Sequence, residues 1–212
     1  MLATDPALSF LSTVSGVTRE TVSAAIGLVN EPVWNGVKPT LVSAELGEAA
    51  ESVLLAAGLV RTVDRILAVK RLEAPPMSSA GAQPDTVDAG ADDTFLPVLL
   101  AGYEVEGVVA AFIGAEHRLP MMRRFLALEQ GAPIAAAAMT IHGDIAVLGG
   151  ASTLPAHRGR GAQSRLLRHR LRTAAEAGCA LAVATARPGS VSAANLRKAG
   201  FRLRRRSAWT KI

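Results

Sequence analysis

One short stretch, residues 154–167, holds the residue types best suited to chemistry: L-P-A-H-R-G-R-G-A-Q-S-R-L-L. Gly159 and Gly161 allow the backbone to approach a ligand closely. If a helix begins here, its first-turn N–H groups have no intrahelical partners and lie at the positive end of the helix dipole. Arg158 and Arg160 add formal positive charge. The stretch therefore predicts a site for a phosphate or pyrophosphate group.

Hydrophobic periodicity and glycine punctuation predict the elements that position this turn. A strand at Ile145–Thr153 leads into it, and a helix ended by Gly178 leaves it. The other predicted elements are a helix through Leu100 capped by Asp92, Asp93 or Thr94, a helix at 105–117, strands at 123–129, 133–141 and 181–186, a helix at 191–198 and a strand at 201–212. Early hairpins and one strand-helix-strand crossover predict an α/β fold with a mixed sheet and helices on its faces.

The chain is predicted to have two parts, residues 1–72 and 92–212, joined by a Pro-, Ser-, Gly- and Asp-rich linker at 73–91. Residues 8–14 resemble 148–154, and residues 56–70 resemble 198–211, which predicts a degenerate β-α-β-α-β half-domain over residues 8–72. Its matching turn holds Gly-Val-Thr-Arg at 16–19 and lacks the phosphate site. The alternative is chance similarity in an alanine-rich chain.

Composition limits the classes of partner. From residue 151 onward there are 14 Lys and Arg against one acid, Glu176, which suggests an anionic ligand. Nucleic acid is disfavoured as a partner because aromatic residues are few. No apolar run is long enough to span a membrane, and the N-terminus does not resemble a signal peptide. The single cysteine, Cys179, predicts a core thiol in a protein of the reducing cytoplasm.

Two motifs together resemble the GCN5-related N-acetyltransferase (GNAT) family. Residues 158–163, R-G-R-G-A-Q, are similar to the family's R/Q-x-x-G-x-G/A motif, with Gln163 in place of the last small residue. Residues 188–201, P-G-S-V-S-A-A-N-L-R-K-A-G-F, resemble the S-x-x-N-x-x-R/K-x-G-F segment before the family's last strand. The resemblance covers about residues 92–212. It implies a GNAT-like acyl-CoA N-acyltransferase fold and transfer of acetyl to a primary amine of a small molecule or peptide.

The resemblance also implies acetyl-CoA as the acyl donor. Its pyrophosphate would bind the helix N-terminus, and its pantetheine arm would follow the end of the preceding strand, where a main-chain N–H would stabilise the thioester oxyanion. The implied cofactor-binding residues are Ala151, Ser152, Thr153, Leu154, Arg158, Gly159, Arg160, Gly161, Ala162, Gln163, Ser164, Ser190 and Asn195. A homodimer is possible, and no metal site is expected, because no His, Cys or acidic residues have ligand spacing.

Two departures from the family leave the catalytic residues unknown. The position where many members place a tyrosine acid matches Leu196, and the chain's only tyrosine is Tyr103. The strand Ile145–Thr153 contains no carboxylate to serve as a base. Four other polar residues are better explained as caps, turn residues or solvated groups: Glu129, His157, Ser190 and Ser192.

Competing interpretations differ in what they require of the glycines. A dinucleotide site needs a strand running directly into the first glycine and an acid at the end of the next strand, but Pro155 to Arg158 intervene and the next strand leads to Arg187. A triphosphatase loop needs G-K-S/T, which is absent. A non-catalytic acyl-CoA sensor remains open because the usual acid and base are missing, and a protein-interaction role remains open for the first lobe.

Overall fold

The computed structural model describes residues 5–34, 36–73, 86–88 and 93–212. They form two compact units built from non-contiguous stretches. The first comprises Met1–Leu67, Ala186–Ser190 and Arg204–Ile212, and the second comprises Ala68–Thr185 and Val191–Leu203. The last strand therefore belongs mainly with the N-terminal residues, whereas the predicted domain ranges were contiguous.

Strands and helices alternate through most of the described chain. The strands are β1 (Thr13–Val17), β2 (Thr40–Ser43), β3 (Leu59–Arg61), β4 (Arg65–Arg71), β5 (Thr86–Asp88), β6 (Arg123–Glu129), β7 (Ala132–His142), β8 (Ile145–Thr153), β9 (Leu181–Ala186) and β10 (Arg202–Lys211). The α-helices are α1 (Val22–Val29), α2 (Glu48–Ala56), α3 (Phe95–Tyr103), α4 (Gly107–His117), α5 (Ala162–Glu176) and α6 (Val191–Lys198). Short 3-10 helices cover Pro6–Leu11, Pro32–Trp34 and Pro155–His157.

Strands of the first unit pair in both directions. Strands β1 and β2 are parallel, and β10 runs antiparallel to both β2 and β3. Its core is formed by Val17, Val22, Ala25, Val29, Leu41, Leu46, Ala50, Leu54, Leu59 and Trp209. A buried hydrogen bond of 2.8 Å joins the hydroxyls of Ser43 and Ser207, so the polar side chains enclosed at this strand pair satisfy each other.

Strands of the second unit also pair in both directions. Strands β5, β6, β7 and β8 pair antiparallel in that order, and β9 runs parallel to β8. The central strand β7 is buried from Ile134 to Met139, because helices pack on both of its faces. Helix α3 packs its Phe95 and Leu99 against the face that carries Ala136 and Ala138. His169 of α5 stacks edge-on to Phe125, with the ring centroids 5.2 Å apart.

Most elements predicted for the second half are confirmed. Strands β6, β8 and β9 and helix α6 have the predicted bounds, and helix α5 ends before Gly178, which has φ of +81°. Helix α3 begins after Thr94, although this residue's side chain makes no capping hydrogen bond. Cys179 is buried, and burial raises the pKa of its thiol, as expected of a core thiol.

The predicted linker is wrong at one place. Residues 86–88 form strand β5, in which Thr86 pairs with Ala127 and Asp88 pairs with Phe125. The β-branched Thr86 and Val87 suit an extended edge strand, and β6 offers an open edge to pair with. Residues 74–85 and 89–91 of the predicted linker lie outside the described residues, as does Asp92, one of the three predicted helix caps.

In the first part of the chain, elements β1-α1-β2-α2-β3 follow the predicted order for residues 8–72. Helix α2 is followed by Gly58 with φ of +79°, and helix α6 is followed by Gly200 with φ of +84°. Residues 8–11 lie in a 3-10 helix, however, whereas the segment they resemble lies mostly in strand β8. The repeat stays a prediction.

Candidate active site

An open strand edge lies beside the glycine turn. Strand β8 pairs with β9 only as far as Leu148 opposite Ala184, while its pairing with β7 continues to Thr153. Residues 149–153, the open edge of β8, thus extend beyond the paired part of β9. A strand edge of this kind can form main-chain hydrogen bonds with an extended ligand.

A β-bulge interrupts strand β8 within the open edge. The register with β7 shifts between Ala136, which pairs with Ser152, and Ala138, which pairs with Gly149. Gly150 and Ala151 therefore lie opposite a single residue of β7, and Gly150 has φ of +52°. A bulge redirects main-chain and side-chain groups and is common next to active sites.

The glycine turn leads into helix α5 with no capping side chain. Gly159 and Gly161 have φ of +78° and +81°, and a Cβ built on either would meet open space. The first main-chain bond of the helix runs from Arg165 N to Gly161 O. The N–H groups at positions 162–164 consequently have no intrahelical acceptors, which is the arrangement that binds anions at helix N-termini.

Gln163, the departure from the family motif, ties helix α5 to strand β8. Its Nε2 donates to the main-chain oxygen of Ser152 at 2.5 Å and to Oγ1 of Thr153 at 3.1 Å. The side chain therefore contacts the strand, and its role here is to hold the first turn of the helix at the end of β8.

Both arginines of the turn are engaged by carboxylates. Nη2 of Arg158 donates to Glu104 at 2.6 Å and to the carbonyl of Gly102 at 3.0 Å, and Nε donates to the carbonyl of Thr153 at 3.3 Å. Arg160 lies 3.4 Å from Glu129. Exposed pairs of this type contribute little net stability, so an anionic ligand can compete for the guanidinium groups.

His157 and Glu129, which were expected to be cap, turn or solvated residues, contact each other. Nδ1 of His157 lies 2.9 Å from Oε2 of Glu129, the same oxygen that faces Arg160. The three side chains form a cluster beside the turn.

Ser152 was predicted to bind the cofactor through its main chain, and its side chain has a packing role. It is 5% exposed, and its hydroxyl donates to the carbonyl of Leu99 at 2.8 Å. A Cβ on Gly102 would overlap Oγ of Ser152. Glycine at position 102 therefore allows α3 to pack closely on β8.

Three side chains that the sequence interpretation missed converge on the bulge. The first is Tyr103, the last residue of α3, whose hydroxyl accepts a 2.8 Å hydrogen bond from the N–H of Ala151. Burial raises the pKa of the phenol, and this outweighs the opposing effects of the Ala151 hydrogen bond and the positive charge of Arg170.

The second is Arg170, which is 4% exposed. Its Nη1 donates to the carbonyls of Ala138 at 3.0 Å and Gly149 at 3.2 Å, so the guanidinium bridges β7 and β8 at the bulge. Burial lowers its pKa to about 10, and no carboxylate among the described residues forms an ion pair with it. Its spacing from Leu166 and Ala174, four residues on either side, was a signal that it lies on the buried face of α5.

The third is His117, the last residue of α4, which is 3% exposed. Its Nδ1 bonds to the carbonyl of Ile113 at 2.8 Å, which assigns the proton to that nitrogen. Nε2 has no hydrogen-bond partner in the described part of the chain and lies against Gly150, where a Cβ would overlap it. Only a residue without a side chain fits at this point of the bulge.

The second motif is divided between the two units. Ser190 belongs to the first unit, and its hydroxyl donates to the carbonyl of Arg187 at 2.7 Å. Asn195 belongs to the second unit and lies half-buried on helix α6. Its neighbour Leu196, at the family's tyrosine position, is 5% exposed.

Two kinds of feature are absent from the described ranges, namely a membrane-spanning helix and a metal site. No helix there has both the length and the apolar character needed to cross a lipid bilayer. No three His, Cys, Asp or Glu side chains in those ranges come together as metal ligands would.

Comparisons with known proteins agree on one family. The sequence matches the model of the acetyltransferase (GNAT) family over residues 90–201. A GCN5-related N-acetyltransferase from Kribbella flavida has a TM-score of 0.65 at 19% identity, covering 95% of this chain and 81% of that chain. A GNAT-family acetyltransferase from Colwellia psychrerythraea has a TM-score of 0.62 at 18% identity, covering 92% and 72%. A tandem GNAT protein from the clavulanic acid biosynthesis pathway has a TM-score of 0.54 at 14% identity, covering 91% and 68%.

No curated protein matches the sequence. At the identities above, the solved structures show a shared fold. The family match itself spans more than half of the chain and includes the glycine turn, strand β8 and helix α5. The protein therefore belongs to the acetyltransferase (GNAT) family and is an acyltransferase.

Proposed function

We propose that the protein transfers acetyl from acetyl-CoA to a primary amine of a small molecule or peptide. The observation that carries this proposal is that the open edge of β8 is followed, after the short 3-10 helix Pro155–His157 and the glycine turn, by the uncapped N-terminus of α5. A strand edge suits the amides of a pantetheine arm, and the helix N-terminus suits a pyrophosphate. Holding the thioester beside an amine converts a bimolecular reaction into an effectively unimolecular one.

Some of the proposed cofactor-binding residues would bind through their main chain and others through their side chains. The main chain of Ala151, Thr153 and Leu154 would contact the pantetheine arm through groups other than the N–H of Ala151 and Leu154, which bond to Tyr103 and Ile134. Main-chain N–H groups at 159–164 would hold the phosphates. The side chains of Ser152 and Gln163 support the strand and the helix instead, because their polar atoms already bond to protein. Arg158 and Arg160 would exchange their carboxylate partners for phosphate oxygens. Ser190 and Asn195 remain proposed contacts of the arm.

For the acceptor, we propose a cationic amine. A pocket of about 360 Å³ lies at the α3–α4 connection and is lined by Leu100, Ala101, Glu104, Val105 and Glu106. Glu104 already pairs with Arg158, so the carboxylate of Glu106 is the one that can attract a cation such as a protonated amine. This pocket lies in the same unit as strand β8 and helix α5.

The proposal also covers the N-terminal part of the chain, the location of the protein in the cell and its oligomeric state. We propose that residues 1–72 are a degenerate GNAT-like half-domain, supported by the element order β1-α1-β2-α2-β3 and by the fold likeness to a tandem GNAT protein. A cytoplasmic location is supported by the single buried cysteine. A homodimer is a further proposal, which light scattering of the purified chain would test.

The second candidate function is a non-catalytic acyl-CoA sensor. It is favoured by Leu196 at the family's tyrosine position and by a strand β8 without a carboxylate. Both candidates require acetyl-CoA binding, so binding alone does not separate them.

Two measurements test the proposal. Calorimetry with acetyl-CoA should show binding at micromolar concentrations, and free thiol release should follow the addition of spermidine, Nα-acetyl-lysine or glycylglycine, which represent three classes of amine. Absence of binding at high micromolar acetyl-CoA would refute both candidates. Tight binding without thiol release in the presence of any of the three amines would favour the sensor.

A further inference from the structure

The tyrosine that reaches the bulge comes from a different helix than the family pattern leads one to expect. Tyr103 ends α3, and its hydroxyl oxygen accepts the N–H of Ala151 within the open edge of β8. This amide is one of the main-chain donors predicted to face the thioester. A ligand that approaches the Ala151 amide along the direction of this hydrogen bond therefore meets the Tyr103 hydroxyl first.

The hydroxyl keeps its own hydrogen available. It makes one hydrogen bond, as an acceptor, and no acceptor among the described residues takes its proton. Tyr103 as a residue is 37% exposed, so it lies at the surface of its unit, where a ligand can approach. Because burial raises the pKa of the phenol, Tyr103 stays protonated at neutral pH and remains a donor.

The surroundings strengthen this donor. The N–H of Ala151 polarises the hydroxyl oxygen, since hydrogen bonds in a chain reinforce one another. Arg170 places a buried positive charge at the same bulge, bonded to the carbonyl of Gly149 and paired with no carboxylate among the described residues. A buried cation without a counter-ion is costly, but it favours negative charge nearby.

We propose that the hydroxyl of Tyr103 donates the hydrogen bond that stabilises the oxyanion formed when an amine attacks the thioester. This inference rests on the proposed acetyl transfer. It assigns a catalytic role to Tyr103 on α3. The N–H of Ala151 then positions the Tyr103 hydroxyl by donating a hydrogen bond to it.

The reaction balances without a change in the charge state of Tyr103. The amine nitrogen bonds to the carbonyl carbon, and the π electron pair moves onto the oxygen, where Tyr103 donates to it. The carbonyl then re-forms while the C–S bond breaks and its electron pair leaves with the thiolate. The proton lost by nitrogen reaches sulfur through solvent, so the products are an amide and a free thiol, and the phenol retains its proton.

The first test is Tyr103→Phe, which keeps the ring and removes the hydroxyl. We expect kcat for thiol release with the best of the three amines to fall about 100-fold, as for loss of one oxyanion donor. The Kd for acetyl-CoA should change less than threefold, because the donor acts mainly on the charge that develops during the reaction. A fall in kcat of less than threefold, or a rise in Kd that accounts for the whole loss, would overturn the inference.

The second test does not depend on how well the phenylalanine variant folds. The chain has one tyrosine, so replacing tyrosine throughout with fluorinated tyrosines changes residue 103 alone. If the hydroxyl donates to an oxyanion, kcat should vary systematically with phenol acidity while the Kd for acetyl-CoA stays constant. A kcat independent of phenol acidity would assign Tyr103 a structural role and overturn the inference.

The wild-type protein separates this inference from the proposed function. If it releases no thiol with any of the three amines, the proposed acetyl transfer fails and the assignment of Tyr103 fails with it. If the wild type is active but the two tests give unchanged rates, only the assignment of Tyr103 fails.

Discussion

Nη2 of Arg158 lies 2.6 Å from Oε2 of Glu104, so a carboxylate that follows helix α3 holds the first arginine of the glycine turn. Both side chains are at least half exposed. The pair is therefore easily exchanged, and Glu104 competes with any phosphate for the same guanidinium. A residue that lines the pocket at the α3–α4 connection would thus affect the proposed phosphate binding at the glycine turn.

Glu104→Gln should strengthen binding of acetyl-CoA. The substitution releases Arg158 and removes a negative charge near an anionic ligand, and an exposed ion pair contributes up to about 1 kcal/mol, so we expect a two- to fivefold lower Kd by calorimetry. Glu176→Gln is the matched control, because it makes the same charge change in an exposed pair with Arg172 at the far end of α5. Weaker binding by the Glu104 variant would contradict this account.

Gly161→Ala should weaken acetyl-CoA binding by about tenfold, roughly the contribution of one hydrogen bond to a charged group. Gly161 has φ of +81°, and the open space where its Cβ would project is where the phosphates are proposed to lie. Gly178→Ala is the control, since Gly178 has the same φ and follows the other end of α5. Both variants should lose similar stability from left-handed strain, about 1–2 kcal/mol. Equal Kd values for the two variants would place the phosphates elsewhere.

Gly150→Ala should destabilise the fold by at least about 3 kcal/mol, because the new Cβ overlaps the buried imidazole of His117 and the backbone has φ of +52°. Urea denaturation measures the loss. Gly149→Ala is the neighbouring control, since its Cβ would meet nothing within 4 Å.

Adding His117→Ala to the Gly150 variant tests the contact itself. The loss in free energy of unfolding of the double variant should be smaller than the sum of the losses of the two single variants. We expect a difference of about 1–3 kcal/mol, which is the coupling energy between the two sites. If the losses in free energy of unfolding are strictly additive, the new Cβ at position 150 and the imidazole of His117 do not overlap.

The free energy of unfolding should fall as the pH falls from about 6.5. Burial, followed by the charge of Arg172, lowers the pKa of His169 from its ordinary value of 6.5. The unfolded chain therefore binds more protons than the folded chain between the two pKa values, and the loss is complete below the folded pKa. His169→Gln should flatten this part of the stability profile. His142→Gln, at the exposed end of strand β7, is the matched control.

Much of the fold could be predicted from local patterns. Strands β6, β8 and β9 are apolar runs bounded by turn residues, and helices α5 and α6 end at glycines with φ above +80°. These features depend on neighbours in the sequence, so hydrophobic periodicity and turn chemistry suffice to locate them. The same holds for the uncapped start of α5, because Gly161 has no side chain with which to cap it. Strand β5 was missed because its three residues become a strand only by pairing with β6.

The sequence alone therefore determined the order of elements, the glycine turn and the family resemblance, since each depends on residues close together in the chain. Only the tertiary structure decided what surrounds the bulge of β8. Tyr103, His117 and Arg170 come from three helices and meet at Gly149, Gly150 and Ala151, because a register shift between β7 and β8 opens the ladder there. The glycine pair at 149–150 is a local sign of a bulge, but the side chains that meet there come from helices distant in the sequence, so a single sequence could not reveal them.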